Sequence, residues 1–564
     1  MFNKVKILLS QKDGDYVYNS PKNSIFYSMK LQEISIIGFC NFCKNNIPLV
    51  ISVSIMLFFV YGTKLFWHSI GIDTELYMAD KESMLKHHIQ VGRFGLALFS
   101  SIWIKEFNTF TAFFITSCLI WFFTISWSYI IAIFSRDIGR NNKHIPFALV
   151  FMSIPIWAEH FYFILMSLEC TFIVSLCPYV IYLLYKGFLD NEKCKIICAF
   201  VLLVFMTSVY QAIIPMFCCG IFICFLLLQE HFDYEQKVYR NLCIKLFITL
   251  IGAIAVYSII DRIVISSVFN IEKIDYLDSQ NQWGQRSIKE NVLNILGFAY
   301  SITLGHIYLV QKIINPIIMY FLSESIGMQN IEKITKISTV FGNALLLPVT
   351  VFFLIQMKKQ RFLYILAGIG VPLSIMFLAF AGGAVPPMRS LYALPLAFAF
   401  MLFYLITNYK KKAAIVVACL ALFSVIHNAQ ITAQLFYSDH IRYNNDVRLA
   451  YELDKLIMQT QLENGKFPVA LVGKRKAASI FQANFLQGQV IGHSFFEWEN
   501  GIHSTTTRGL AFMKTLGINY DTPNEMQLEQ ALQEAKSMPA YPDSGCVKRM
   551  PGFIVLRISE TLYD

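Results

Sequence analysis

Long apolar runs joined by short basic connectors constrain this chain more than any other feature. Stretches such as 48–66, 108–134, 362–380 and 413–430 are almost free of charge over the roughly 17–25 residues that a helix needs to cross a bilayer. In hydrocarbon a spanning segment must satisfy its own backbone hydrogen bonds, so these runs read as helices. The short alternating strands of a membrane barrel are not the pattern here. With 15% charged residues, against roughly 25% in a soluble domain, the chain reads as an all-α polytopic membrane protein. Its net charge of +10 sits mostly in short connectors, where the positive-inside bias accounts for it, and nucleic-acid binding is set aside.

The lysine-bearing residues 1–46 form a cytoplasmic segment, with an interfacial helix expected around 25–43. Residues 47–430 form a membrane domain of about 11 spans. Its apolar block 145–185 is too long for one helix and is expected to break near Ala158–His160. Block 196–229 turns near 210–215, and 291–323 must start and end on one side, as a re-entrant segment does. An odd number of spans puts residues 431–564 outside as a periplasmic soluble domain. There DVRLAYELDKLIMQ and QLEQALQEAK suit helices and PVALVG and GFIVLRI suit buried strands, so the domain is α/β or α+β. Most of the 13 cysteines lie in spans and pack as small apolar groups; Cys546 alone falls in the tail.

Three polar clusters share the expected outer side. GIDTE carries Asp73 and Glu75, followed by His87, His88 and Arg93. Trp283, Gln285 and Arg286 follow Tyr276 and Asp278. GGAVPPMRS, residues 382–390, presents Arg389 from a turn stiffened by two prolines. A carboxylate can serve as the general base for an attacking hydroxyl. Guanidinium forks pair with phosphate, and arginine on an outer face runs against the positive-inside bias. The bland alternatives are a solvated acidic patch and headgroup contacts. His87 and His88 are a weak signal for a metal. Within the apolar blocks Glu159, His160, Tyr210 and Gln211, with His306 and Tyr308, are candidates for a substrate groove, and Trp283 for a stacking platform under a sugar. Acid plus arginines at the mouth of spans suits a donor whose lipid tail stays in the bilayer.

The short elements GIDTE (71–75), QVGRFG (90–95), SVYQA (208–212), PPMR (386–389) and, more weakly, RYNNDVRLA (442–450) together resemble the GtrII-type family of bacterial serotype-converting O-antigen glucosyltransferases. The resemblance implies a GT-C-like membrane enzyme in the bacterial inner membrane. Its donor would be undecaprenyl-phosphate-glucose and its acceptor a lipid-linked O-antigen or related surface polysaccharide, with transfer on the periplasmic face. A companion flippase and a lipid-phosphate glucosyltransferase would supply the donor. Asp73 and Glu75 take the place of the family's acidic pair, as Asp-Thr-Glu rather than adjacent acids. The Gly-Arg element falls on Gly92 and Arg93, the Tyr-Gln element on Tyr210 and Gln211, and the proline-arginine turn on Pro387 and Arg389.

On this reading Asp73 takes the acceptor proton, Glu75 orients it, and Arg93, Arg286 and Arg389 stabilise the departing lipid phosphate. No metal or other cofactor is expected; a divalent ion bridging Asp73 and the phosphate is the alternative. The competing function is a flippase or transporter of a lipid-linked saccharide. It leaves a large outer domain unexplained and lacks the paired repeats common in transporters.

Overall fold

The computed structural model describes residues 30–103, 108–139, 142–269, 281–304, 340–357, 361–460, 467–477, 485–498 and 500–563. In chain order the helices are α1 (Ile36–Asn45), α2 (Ile47–Phe66), α3 (Thr74–Ala79), α4 (Lys81–Gln90), α5 (Phe94–Trp103), α6 (Thr109–Phe134), α7 (His144–Ser153), α8 (Ile156–Tyr162), α9 (Ile164–Asp190), α10 (Lys193–Val209), α11 (Ile213–His231), α12 (Gln236–Ile263), α13 (Ile288–Leu304), α14 (Leu346–Met357), α15 (Phe362–Gly382), α16 (Ala393–Asn408) and α17 (Lys411–Thr460). The chain then forms β1 (Val469–Val472), α18 (Ile502–Thr515), α19 (Glu525–Ala535), β2 (Val547–Met550) and β3 (Phe553–Arg557).

Among the described residues, seven helices are long and apolar enough to cross a membrane: α2, α6, α9, α11, α12 with its continuation to Val268, α15 and α17. The bent pair α7–α8 makes an eighth if it counts as one span. Three other segments expected to span, now α10, α14 and α16, are helical but run to 17, 12 and 16 residues, short of the roughly 20 that cover the hydrocarbon core. Buried along almost its whole length, α16 is surrounded by protein rather than lipid.

The break expected at 158–160 falls elsewhere. The chain bends by 49° between α7 and α8, at Ile154–Pro155, where proline has no N–H to continue the helical ladder. It breaks again at Phe163, leaving Glu159 and His160 inside α8. The turn expected near 210–215 is present between α10 and α11. Of the proposed re-entrant segment, α13 covers the first part; residues 305–323, with His306 and Tyr308, lie outside the described residues, as do Tyr276, Asp278 and residues 1–29 of the N-terminal segment.

The expected join at 430/431 is crossed without interruption by α17, whose 50 residues extend about 75 Å at 1.5 Å per residue. No glycine or proline occurs between Lys411 and Thr460 to stop it. Its apolar first half packs on α2, α7 and α16; its second half enters the C-terminal domain, where Leu449, Leu453 and Ile457 are buried. The sheet there has the order β1-β3-β2, with β1 parallel and β2 antiparallel to β3. Both strands expected from PVALVG and GFIVLRI are present. The sheet's two faces pack on α18 and α19, giving a small mixed α/β unit.

Candidate active site

The segment after α2 is threaded through a tight passage. A Cβ on Gly71 would stand 1.9 Å from the Tyr162 carbonyl oxygen, so only glycine fits. Two residues on, Asp73 caps α3 with φ 69°, a left-handed conformation uncommon outside glycine and concentrated at functional sites. Its carboxylate is 39% exposed, whereas that of Glu75, on the first turn of α3, is fully buried. Both meet one cation. Arg508, on α18 of the C-terminal domain, donates Nη1 to Glu75 Oε1 and Nη2 to Asp73 Oδ1, the second at 3.2 Å. Glu75 Oε2 has no hydrogen-bond partner among the described residues. Burial, reinforced by the Asp73 charge and opposed by Arg508, pushes the Glu75 carboxyl up to about 8.

Lys64, Asp439 and Arg442 also hold this segment. Lys64 Nζ donates to Ser69 Oγ at 2.5 Å and to Asp439 Oδ2 at 2.6 Å, and Arg442 Nη2 donates to the Ile70 carbonyl at 3.0 Å. Arg442 also pairs with Asp439 and, at 3.4 Å, with Asp446, which accepts from Ser494 of the C-terminal domain.

The Gly-Arg and Tyr-Gln elements meet each other. Gly92, with φ 76°, turns its carbonyl toward Gln211 Nε2 at 2.9 Å and the Tyr257 hydroxyl at 2.8 Å; Gln211 also donates to Tyr257 at 2.8 Å. That turn delivers Arg93, whose guanidinium lies 5.0 Å from the Tyr210 ring centre. The Arg93 N–H binds the His88 carbonyl at 2.8 Å. Burial and the neighbouring Arg93 and His87 charges push His88 down to about 3, so it is neutral. His87 lies within electrostatic reach of both Asp73 and Arg93, which places the acidic segment and the arginine in one neighbourhood.

Arg93, Tyr210 and Gln211 face Asn281, Pro386, Pro387 and Ser390 across a cavity of about 390 Å³. The wall from α15 to Ser390 is fixed by the 281–287 loop: Gln282 N–H donates to the Gly382 carbonyl at 2.7 Å and Trp283 Nε1 to the Phe380 carbonyl at 2.9 Å. Trp283 is thus a partly exposed clasp at the rim, and Arg286 is exposed on the same loop outside the cavity lining. Arg389 stacks 4.2 Å from the Phe163 ring centre, within electrostatic reach of Glu159.

Glu159 and His160 brace the site from beneath. Glu159 Oε1 accepts the backbone N–H groups of Val490 at 2.8 Å and Ile491 at 3.3 Å, docking a C-terminal loop on α8. The same loop reaches the proline-arginine turn, where the Met388 N–H donates to Gln489 Oε1 at 2.8 Å. His160 Nε2 lies 3.1 Å from the Ser167 carbonyl, which can only accept, so Nε2 carries the proton and Nδ1 accepts from the Tyr392 hydroxyl at 2.9 Å. Tyr392 in turn packs edge-on against Tyr210.

Arg508 sits between the two acids and bonds to both. Among the described residues the one triad of close-set acidic ligand atoms is Glu33, Asp190 and Glu192. It lies at the far end of α9, where Lys186 and Lys195 pair with it.

The acids, Arg93 with its supporting glutamine, and the proline turn therefore converge at one end of the helical bundle, under the C-terminal domain. The sequence model of the family described as glucosyl transferase GtrII matches residues 62–387, more than half of the chain. The chain belongs to the GtrII glucosyltransferase family. A search among curated proteins returns no match. Family membership makes this a glycosyltransferase and favours the enzyme over the flippase. The matched span takes in Asp73, Glu75, Arg93, Tyr210, Gln211 and the cavity wall through Pro387. Arg389 lies two residues beyond it and Arg508 far outside. Sequence reasoning missed Arg508, Tyr257 and Asp439. In IHSTTTRGLAF the arginine resembles any surface cation, and only the folded chain brings it to residues 73–75.

Proposed function

We propose that this GtrII glucosyltransferase moves glucose from undecaprenyl-phosphate-glucose to a lipid-linked O-antigen or related polysaccharide, on the periplasmic face of the bacterial inner membrane. The observation that carries this reading is the pairing of two unlike halves at one end of the bundle: a partly exposed carboxylate oriented by an arginine, and an arginine-bearing cavity at the ends of apolar helices.

Asp73 acts as the base. Arg508 engages its Oδ1, leaving Oδ2 for the acceptor hydroxyl, which loses its proton there as its oxygen attacks the anomeric carbon. Glu75, buried and tied to the same arginine, positions Arg508 rather than meeting substrate. The bond from the anomeric carbon to the phosphate oxygen breaks, and polyprenyl phosphate leaves with the electron pair. That group needs no proton from an acid; Arg93 in the cavity and Arg389 beside it stabilise its charge. Arg286 and Trp283 serve at the rim, toward the entering donor. Displacement in one step inverts the anomeric centre. The C-terminal domain, which supplies Arg508 and the loop on Glu159, contacts the acceptor. On this reading no metal takes part, because Arg93 and Arg389 supply the positive charge at the phosphate that a divalent ion bridging it to Asp73 would otherwise provide.

The test is purified protein in vesicles with polyprenyl-phosphate-[14C]glucose and a lipid-linked oligosaccharide acceptor. Glucose should pass to the acceptor with release of polyprenyl phosphate, in the presence of EDTA, and D73N should abolish transfer. Movement of intact donor across the bilayer without bond cleavage would instead make the chain a flippase.

A further inference from the structure

Below the arginine cavity a second, apolar hollow of about 460 Å³ opens among α11, α12 and α15. Phe377 lines both. The two are also continuous along each shared helix. On α15 the hollow takes Leu363, Leu366, Gly370, Leu373 and Phe377, and the cavity takes Phe377, Leu378, Ala381 and Gly382. These positions recur every three to four residues, one unbroken face of a helix. On α11 the cavity takes Ile214 and the hollow takes Cys218, one turn further on, then Ile221 and Phe225 on the same face. From Leu363 to Phe377 the groove runs about 21 Å at 1.5 Å per residue, most of the roughly 30 Å hydrocarbon core.

Its third wall stands apart from the other two. The helix α12 packs on α10 and α9, and presents Cys243, Leu246, Phe247 and Leu250 across the gap to α15. By contrast α11 and α15 touch closely: a Cβ on Gly370 would come within 2.6 Å of the Phe222 ring. One lining residue carries a hydroxyl, Ser374, and it is spent on the Gly370 carbonyl at 2.6 Å. An amphiphile with an anionic head and a long hydrocarbon chain matches this sequence of surfaces, the head at Arg93 and the chain descending past Phe377.

We infer that the groove between α11, α12 and α15 binds the polyprenyl tail of the lipid-phosphate donor and sets the enzyme's dependence on tail length. The inference rests on the donor class proposed above. The tail leaves the cavity past Phe377 and follows α15 toward Leu363, so that the glucosyl phosphate is presented at a fixed depth beside Arg93. Burial of each chain methylene against these side chains contributes to binding that a short-tailed donor cannot obtain.

Leu366 and Leu373 face the groove from positions about half exposed to lipid, so added bulk there fills the groove without disturbing the core. Ile369 is similarly exposed but outside the lining, and is the control. In the transfer assay, L373W should raise KM for the full-length polyprenyl donor by about tenfold, a loss of about 1.4 kcal/mol, while leaving KM for a two-isoprene donor and kcat for both unchanged. I369W should behave as wild type. As a readout independent of activity, a photoreactive residue at position 373 should label with polyprenyl phosphate in preference to phosphatidylglycerol. Equal labelling by both lipids, or an unchanged tail-length dependence in L373W and L366W, overturns the groove assignment while the donor reading stands. Failure of wild type to use either polyprenyl donor removes the donor reading and the groove with it.

Discussion

Arg508 and Glu75 are 433 residues apart in the chain and share a buried hydrogen bond, with the same guanidinium reaching Asp73. The C-terminal domain is thereby part of the acidic site and not an appendage to the membrane bundle. Removing Arg508 leaves the Asp73 carboxylate without its orienting partner, so R508A should lower kcat by roughly 10²-fold, the usual effect of deleting one preorganised donor. R508K keeps the charge but loses the fork that serves two carboxylates, and should fall between R508A and wild type. Both are checked by transfer kinetics beside thermal unfolding in detergent; full activity in a folded R508A would reduce the arginine to an interdomain tie.

Glu75 makes a pH prediction with a definite sign. Its carboxyl stands at about 8 in the folded protein against 4.5 unperturbed. Between these values the native state holds the proton and the unfolded chain does not. Stability is therefore lost as pH rises through that window. Glutamine mimics the protonated form, so E75Q should flatten this slope in thermal unfolding between pH 5 and 8. The same variant should retain most of its transfer activity at neutral pH, where D73N retains almost none. That contrast assigns the base: equal losses in the two variants would require Glu75 to share the proton transfer.

Gln211 touches the Gly92 carbonyl and Tyr257 rather than reaching past them, which makes it a positioning residue for Arg93. Q211A removes two hydrogen bonds, each worth roughly 0.5–1.5 kcal/mol, and loosens the turn that aims the guanidinium. The expected result is a rise in KM for the lipid donor with a smaller change in KM for the acceptor. Q211E, which accepts but cannot donate to the Gly92 carbonyl, should not rescue it. A G92A variant should show the same kinetic pattern more severely, since φ 76° strains any residue with a Cβ.

Much of this arrangement was legible because it is local. Hydrophobic length reported the helices, and GIDTE, QVGRFG, SVYQA and PPMR each lie beside a helix end, so their convergence followed once those ends were assigned to one side. The β1 and β3 strands announced themselves as buried apolar runs. The rest depends on contacts between distant segments. The hydropathy of residues 411–460 is the same for a span followed by a separate helix as for the single rod of α17; only the missing glycine and proline tell the two apart. The bracing roles of Glu159 and His160 were not legible, since partners such as Val490 and Tyr392 lie hundreds of residues away. Arg286 and Arg93 look alike in sequence, yet one is exposed on a loop and the other lines a cavity.

The ionic cluster behind residues 69–70 separates stability from positioning. Lys64, Asp439 and Arg442 are at most 2% exposed. Neutralising only Asp439, in D439N, strands the buried Lys64 ammonium and leaves Arg442 only its 3.4 Å contact with Asp446, and should cost roughly 3–5 kcal/mol because uncompensated buried charge is far less favourable than a complete pair. Replacing all three with apolar residues of similar size, K64M with D439L and R442M, should restore part of that stability, since the two stranded cations are gone and Asp446, which loses the Arg442 guanidinium, keeps its Ser494 hydrogen bond. Activity should not return with it. Ser69 would have lost the Lys64 ammonium and the Ile70 carbonyl the Arg442 guanidinium, and these are the bonds that fix the chain just ahead of Gly71 and Asp73. Thermal unfolding and transfer kinetics on the same three preparations check both halves: wild type stable and active, D439N unstable, the triple variant intermediate in stability and slow. A triple variant as active as wild type would mean that Gly71 against Tyr162 and Arg508 against the acids suffice to place Asp73.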